Sequence, residues 1–239
     1  MRHFIPKYMG GKRIVKILNI LAVLFPVPGK VIRQNRKHNE NIWKKTGKLF
    51  WKNGDIVAQS ELKEFCFGKK NQVLDRFVLN NKTLNGAKNT CEVIAVYNAW
   101  NALTQNKETE CFPALLSWFE HKGAVLWGYF GTSPTAALTF FNEKGYSCDI
   151  LYEKEMTERT LDRFARQYQV FLLTSFNDAN DLMQQIHTMC VVKTKKAFQM
   201  YNDYMGNRRY SSLYAAVYGY RAPKAVSRPI CLIGISSET

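Results

Sequence analysis

A cysteine stands where the sequence predicts the first turn of a helix. Cys91 follows the polar stretch 85–90, and apolar residues recur at helical spacing after it. Asn89 is expected to cap this helix, with Glu92 three positions later completing a capping box. Main-chain N–H groups and the helix dipole favour a thiolate at such a position. Cys91 is therefore a candidate nucleophile.

A nucleophilic thiol needs a general base, and the chain contains only four histidines. His3 and His38 lie in a strongly basic N-terminal segment. His121 closes a predicted helix, where a cation suits the helix dipole. His187 remains, at the entry to a predicted strand over residues 188–193. An imidazole there is the candidate base.

A third residue can orient the imidazole. The strand after His187 is expected to turn at Thr194 and to return along residues 197–201. If the hairpin is centred between Thr194 and Lys195, paired residue numbers sum to 389, and Asn202 faces His187. Its side-chain amide could then fix the ring tautomer. A one-residue shift would give this role to Asp203 instead.

The elements that must position these residues fall into two groups along the chain, with helices before strands. The predicted helices run from residue 91, over 113–120, from Pro134 (capped by Ser133) to near 145, and over 157–168. The predicted strands cover 170–175, 188–193, 197–201 and 230–235. This order predicts an α+β fold with a helical layer packed on an antiparallel sheet.

The positive charge is concentrated at the N-terminus. Residues 1–54 hold 13 Lys and Arg against one acid, Glu40, and so carry +12 of the net +15 of the 239-residue chain. We therefore predict two parts, a basic segment (1–54) and a mildly basic globular domain (55–239). The basic segment could serve as a membrane-surface, docking or pro-region.

Within the basic segment, residues 17–25 are apolar and are flanked by Lys12, Arg13, Lys16 and Lys30. This run is too short to cross a bilayer as a helix. Two interpretations are open: a helix lying on an anionic membrane surface, or a helix packed on the domain with solvated lysines around it. The predicted location is cytoplasmic, with peripheral attachment to a membrane as the extension.

Other chemistries find little support in the sequence. The six cysteines include no CxxC pair, which argues against a zinc site or a dense disulfide framework. No sequence motif of a serine hydrolase, metallopeptidase, P-loop or dinucleotide-binding protein occurs, so no cofactor or metal is predicted. The basic residues do not alternate with aromatic ones, which argues against nucleic acid as a partner.

The order of the candidate residues resembles that of a papain-like cysteine peptidase. In that family a cysteine opens the central helix, a histidine opens a later strand, and Asn or Asp closes the next strand; here these are Cys91, His187 and Asn202. Segments around Gly131 and Gly145 also look like compact bacterial members, whose fold resembles the bacteriocin-leader peptidases. The resemblance covers roughly residues 79–235.

The resemblance implies a mechanism and a substrate class. The family places a Gln-Gly pair six residues before the nucleophile, and the glutamine helps to form the oxyanion hole. Asn85 occupies the glutamine position here, and Asn89 is the alternative oxyanion donor. Cys91 would attack a peptide carbonyl as the thiolate of a thiolate–imidazolium pair with His187. A thioester would follow, and the substrate would be a peptide or protein.

Two other functions remain open from sequence. The same triad could catalyse another acyl transfer, as an amidase, deamidase or transglutaminase-like enzyme, because the cleft chooses the acceptor. Alternatively, the chain could be a non-enzymatic, basic membrane- or nucleic-acid-binding protein. In that case the affinity would depend on salt and would be lost on deleting residues 1–54.

Overall fold

The fold is α+β, as predicted, and is built on one six-stranded antiparallel sheet. It is seen in a computed structural model of the chain. The structure describes residues 10–50 (side chains to 45), 62–71, 84–105, 112–178, 186–203, 208–219 and 228–237. The predicted domain boundary near residue 54 and Cys111 lie outside these ranges.

The described helices and strands alternate more than the sequence predicts. The α-helices are α1 (Gly11–Leu24), α2 (Gly29–Phe50), α3 (Gly86–Asn89), α4 (Cys91–Thr104), α5 (Phe112–Lys122), α6 (Pro134–Glu143), α7 (Glu158–Gln167) and α8 (Leu213–Gly219). The strands are β1 (Tyr146–Tyr152), β2 (Val170–Phe176), β3 (Ile186–Lys193), β4 (Phe198–Tyr201), β5 (Arg208–Tyr210) and β6 (Arg228–Ser237). Strands β1 and β5 were not predicted.

The strand order in the sheet is β1-β6-β2-β3-β4-β5, and helices cover both faces. On one face α4, α5 and α6 enclose the largest apolar cluster, to which Leu172, Cys190 and Ile233 contribute from the sheet. On the other face α7 and α8 pack on Leu173 and Val191. Alternate residues of each strand therefore serve opposite layers.

Helix α4 is the central helix of the first layer. Its first eleven residues, Cys91 to Asn101, are all buried, with the contact to β3 along one side. A helix that is apolar around most of its circumference belongs inside a protein rather than at its surface. Because α4 is buried against β3, Cys91 lies beside the strand that contains His187.

The two helices of the basic segment are packed on the rest of the molecule. Asn39 on α2 is fully buried; its amide donates to the Cys66 carbonyl at 2.9 Å and its Oδ1 accepts the Cys66 N–H at 2.8 Å. Nδ2 of Asn35 donates to the buried carboxylate of Glu120 on α5 at 2.6 Å. Val27, between α1 and α2, belongs to the largest apolar cluster. The described part of the basic segment therefore shares the domain's core.

Candidate active site

Cys91 lies in the first turn of α4, as predicted, and is its first residue, but the cap differs from the predicted one. Thr90 occupies the N-cap position, and its hydroxyl turns back to the Gly86 carbonyl. Asn89 instead ends the short helix α3, which leads directly into α4. The predicted Asn89–Glu92 capping box is wrong, because the extra helical turn moves the start of α4 one residue along the chain.

The sulfur of Cys91 lies against the main chain at the start of β3. The distance from Sγ to the Ile186 carbonyl oxygen is 3.9 Å. Hydrogen bonds from the main chain and side chain of Thr188 and from the main chain of Glu92 also reach the sulfur. Two elements that are far apart in sequence therefore meet at this thiol.

The side of β3 on which the sulfur lies can be identified. Nδ2 of Asn202 donates to the Thr188 carbonyl at 3.3 Å, so that carbonyl points toward β4. Main-chain groups of residues two apart on a strand point the same way, so the Ile186 carbonyl does too. The last pair between β3 and β4 is Cys190↔Tyr201. The sulfur thus occupies the β4 side of β3 just beyond the end of β4.

His187 is held by Asn202, but not through the predicted contact. Nε2 of the imidazole is 2.5 Å from the main-chain carbonyl oxygen of Asn202. A carbonyl oxygen only accepts hydrogen bonds, so Nε2 carries the proton and Nδ1 of the neutral ring is the acceptor. The tautomer is therefore fixed in the form that a general base needs, by a main-chain group instead of a side-chain amide.

The predicted hairpin register is wrong by two residues. Observed partners such as Val191 and Met200 have numbers that sum to 391, not 389. The turn is centred one residue farther along the chain, between Lys195 and Lys196: the Thr194 N–H donates to the Ala197 carbonyl at 2.8 Å. Asn202 therefore lies beyond the paired strand, at φ 64°, and this left-handed conformation turns its carbonyl toward the ring of His187.

Asp203, the alternative third residue, has a different role. Its carboxylate is buried and forms an ion pair with Nε of Arg208 at 2.5 Å. Its charge raises the pKa of His187, although the effect is smaller than that of burial. Asn202 thus contacts the ring, and Asp203 contributes charge near it.

Burial controls the protonation of both candidate groups. It raises the pKa of the Cys91 thiol to about 11, and the hydrogen bonds from Thr188 and Glu92 offset only part of this change. It lowers the pKa of His187 to about 4, against opposing effects of the Asn202 carbonyl and Asp203. The expectation of a lowered cysteine pKa is wrong, because desolvation outweighs the helix terminus. At neutral pH the thiol and the imidazole are both uncharged.

The two candidate oxyanion donors are in different states. Asn89 uses its Nδ2 group on the carbonyls of Gly128 and Tyr129, at 3.0 and 3.2 Å. Asn85 is the half-buried N-cap of α3, and its Nδ2 group donates to no partner within the described residues. Asn89 is therefore committed to structure, and Asn85 is the better candidate.

Two further polar residues near the site were not assigned a site role from sequence. Glu92 is buried beside Cys91; its Oε2 accepts the Thr132 hydroxyl at 2.5 Å, and the main chain of Ala137 also bonds the carboxylate. Ser175 lies directly opposite His187 on β2, and its hydroxyl is buried without a hydrogen-bond partner among the described residues. For Glu92 the sequence contained one signal, an acidic residue at the second position of the helix that begins with Cys91. No signal in the sequence pointed to Ser175.

The described residues include no cluster of three or more His, Cys, Asp or Glu side chains suited to hold a metal ion. The five described cysteines carry free thiols. Comparison with protein-family models, curated proteins and solved structures gives no match to this chain. What the site can do must therefore be argued from its own geometry.

Proposed function

We propose that this chain is a cysteine peptidase of papain-like type, with Cys91 as nucleophile and His187 as general base. The observation that carries the proposal is the contact between Nε2 of His187 and the Asn202 carbonyl. It leaves Nδ1 as the proton acceptor at the start of β3. The Cys91 sulfur is bonded by the Thr188 side chain, and neighbouring residues of a strand project from opposite faces, so proton transfer requires the imidazole to turn past the start of β3 toward the sulfur. A thiol at a helix start and a histidine with a fixed tautomer are the parts that cysteine-dependent acyl transfer requires.

The proposed reaction starts from the neutral thiol and imidazole. As the sulfur bonds to the peptide carbonyl carbon, the thiol proton moves to Nδ1 of His187. The oxygen gains negative charge and is stabilised by the N–H of Cys91, which has no partner inside its helix, and by the amide of Asn85. The imidazolium then gives its proton to the leaving amine. Water hydrolyses the thioester, with His187 again as base.

The neutral resting pair shapes this mechanism. With the thiol pKa raised to about 11 and the imidazole pKa lowered to about 4, proton transfer before attack is unfavourable. Transfer therefore accompanies attack, when the oxyanion donors stabilise the charge that develops. Asp203 supports the same step, because its negative charge favours the imidazolium.

The same burial favours one competing function. A buried thiol with a raised pKa is the ordinary state of an inert structural cysteine. In that case the chain would be a non-enzymatic binding protein, and its polar contacts at the start of β3 would serve only to join α4 to the sheet.

Hydrolysis of a mixed library of short peptides distinguishes these functions. New N-termini, detected by mass spectrometry, are expected with the full chain and with Cys190→Ala, and are expected to be lost with Cys91→Ala. Cys190 is the matched control, since it is also buried and lies on β3. Equal cleavage by wild type and Cys91→Ala would refute the proposal. So would an inactive wild-type chain that binds these peptides unchanged.

A further inference from the structure

Helix α1 is fixed on the domain through one of its faces. Ile14, Val15 and Leu18 are buried in an apolar cluster with Phe176 on β2 and Ile230 on β6. Farther along, Oδ1 of Asn19 accepts hydrogen bonds from the hydroxyls of Ser133 and Thr135 at the start of α6. These contacts determine which face of α1 turns outward.

The outward face of α1 is unusually apolar. Ile17, Ile20, Val23 and Leu24 are 40%, 47%, 77% and 64% exposed. They are four of the five exposed large apolar side chains among the described residues; the fifth, Tyr214, lies on α8. We call these four side chains the apolar strip. An exposed apolar patch of this kind, bordered by polar residues, marks an interaction surface.

Cations border the apolar strip along the chain on both sides. Lys12, Arg13 and Lys16 precede it and are exposed, and Lys30 and Arg33 follow it and are exposed. No Asp or Glu occurs before residue 40. The strip therefore lies between two positively charged groups.

None of the ion pairs between described residues uses these cations. The first acid of the chain, Glu40, is paired with Arg36 at 2.8 Å. On the short 3-10 segment that α1 contacts, Glu153 is paired with Arg228 at 3.2 Å. The Oε2 of Glu155 accepts the Tyr152 N–H at 2.7 Å.

The combination of aliphatic and cationic side chains on this surface indicates which kind of partner it binds. We propose that the apolar strip docks on an anionic lipid bilayer, with the axis of α1 lying in the interface. The aliphatic side chains would enter the boundary between headgroups and acyl chains, while the flanking Lys and Arg bind lipid phosphates. A nucleic acid offers no place for four aliphatic side chains, and a second copy of the chain would bring like charges together. None of the described helices is long and apolar enough to cross a membrane by itself.

Cosedimentation of the full chain with lipid vesicles tests this proposal. Binding is expected to vesicles of phosphatidylcholine with about one-third phosphatidylglycerol, and to weaken as salt rises. The double variant Ile20→Glu/Val23→Glu should lower the partition coefficient by about ten-fold or more. Lys16→Gln should lower it by about five-fold on anionic vesicles and leave it unchanged on pure phosphatidylcholine. Tyr214→Glu, the matched control on α8, should bind as wild type does.

The variants change only exposed side chains, and an unchanged melting temperature will verify that they fold. Wild-type protein that fails to bind the anionic vesicles would overturn the proposal. So would binding that the double variant retains, which would assign the affinity to charge alone. Sedimentation equilibrium adds a third outcome: a wild-type dimer that the double variant converts to monomer, without vesicle binding, would assign the strip to self-association.

Discussion

Cys91 and Cys190 are both buried thiols, the first beside β3 and the second on it, yet their surroundings differ. Cys190 is part of the largest apolar cluster, and burial alone raises its pKa. Cys91 receives hydrogen bonds from Thr188 and from the main chain of Glu92, so its pKa rises less, to about 11. Burial therefore does not distinguish the proposed nucleophile from Cys190, whereas the hydrogen bonds to its sulfur do; the buried Cys231 receives one hydrogen bond as well, from the side chain of Thr174.

A second pair of buried residues shows the same contrast. Glu92 and Glu120 both have a pKa raised by burial to about 7. Glu120 accepts hydrogen bonds from Asn35 and from the Gly68 N–H, and so joins α2 to α5. Glu92 joins α4 to the start of α6 and lies next to Cys91. A buried carboxylate is thus a common device for joining elements in this fold, and its proximity to the thiol sets Glu92 apart.

The largest effect that would sharpen the comparison of the two thiols is expected from His187→Gln. Glutamine cannot act as a base, so kcat/KM for peptide hydrolysis should fall by about 10²–10⁴-fold. Peptide binding and the melting temperature of His187→Gln are compared with those of wild type and of Cys190→Ala, and this comparison shows whether the variant folds. If His187→Gln retains the wild-type kcat/KM, His187 is not the base that activates Cys91. The proposed difference in reactivity between Cys91 and Cys190 then loses its support.

The next effect concerns the two buried glutamates and the dependence of stability on pH. A carboxyl whose folded pKa is raised stabilises the fold fully below its unfolded pKa of 4.5, and this stability is lost as pH rises through about 7. His187, with its pKa lowered to about 4, has the opposite sign: its contribution is complete above 6.5 and is lost as pH falls. As pH rises, Glu92 and Glu120 therefore lower the free energy of unfolding, whereas His187 raises it.

Urea unfolding at a series of pH values measures this balance. The unfolding free energy of wild type minus that of Glu120→Gln should fall by up to about 3 kcal/mol between pH 4.5 and 7, since each pKa unit is worth about 1.4 kcal/mol. Glu92→Gln should give a similar difference, but only Glu92→Gln should also change the pH profile of peptide hydrolysis. A flat difference across this range would show that these carboxyl groups titrate as solvated ones.

The smallest effect is expected at Asn202. Glycine keeps the main-chain carbonyl that holds His187 and adopts the observed φ of 64° without steric cost, so Asn202→Gly should retain activity within about three-fold. Asn202→Val should be more damaging, because a β-branched residue disfavours that conformation. A large loss of activity in the glycine variant would instead restore the side-chain amide as the orienting group.

Local patterns in the sequence predicted much of this fold. The cap and proline at Ser133–Pro134 predicted the start of α6, and periodicity predicted α4, α7 and the strands β2 and β3. Strand β1 was missed because polar residues interrupt its apolar ones, and its pairing with β6 joins segments far apart in sequence.

The candidate site was predictable in its residue types but not in its contacts. The positions of Cys91 and His187 follow from local signals at a helix start and a strand start. The register error came from a hairpin centred one residue farther along the chain than assumed, so that this register places position 202 opposite Met189 instead of His187. The protonation states depend on burial by residues from distant elements, which no local pattern contains.

The most direct test is to detect the acyl group on sulfur. Peptides identified as cleaved are mixed with the full chain, the reaction is quenched in acid within one turnover, and the intact mass is measured. The account predicts a mass increase equal to the acyl half of the peptide, located on Cys91 by peptide mapping and absent in Cys91→Ala. An acyl group on any other residue, or turnover that continues in Cys91→Ala, would contradict it.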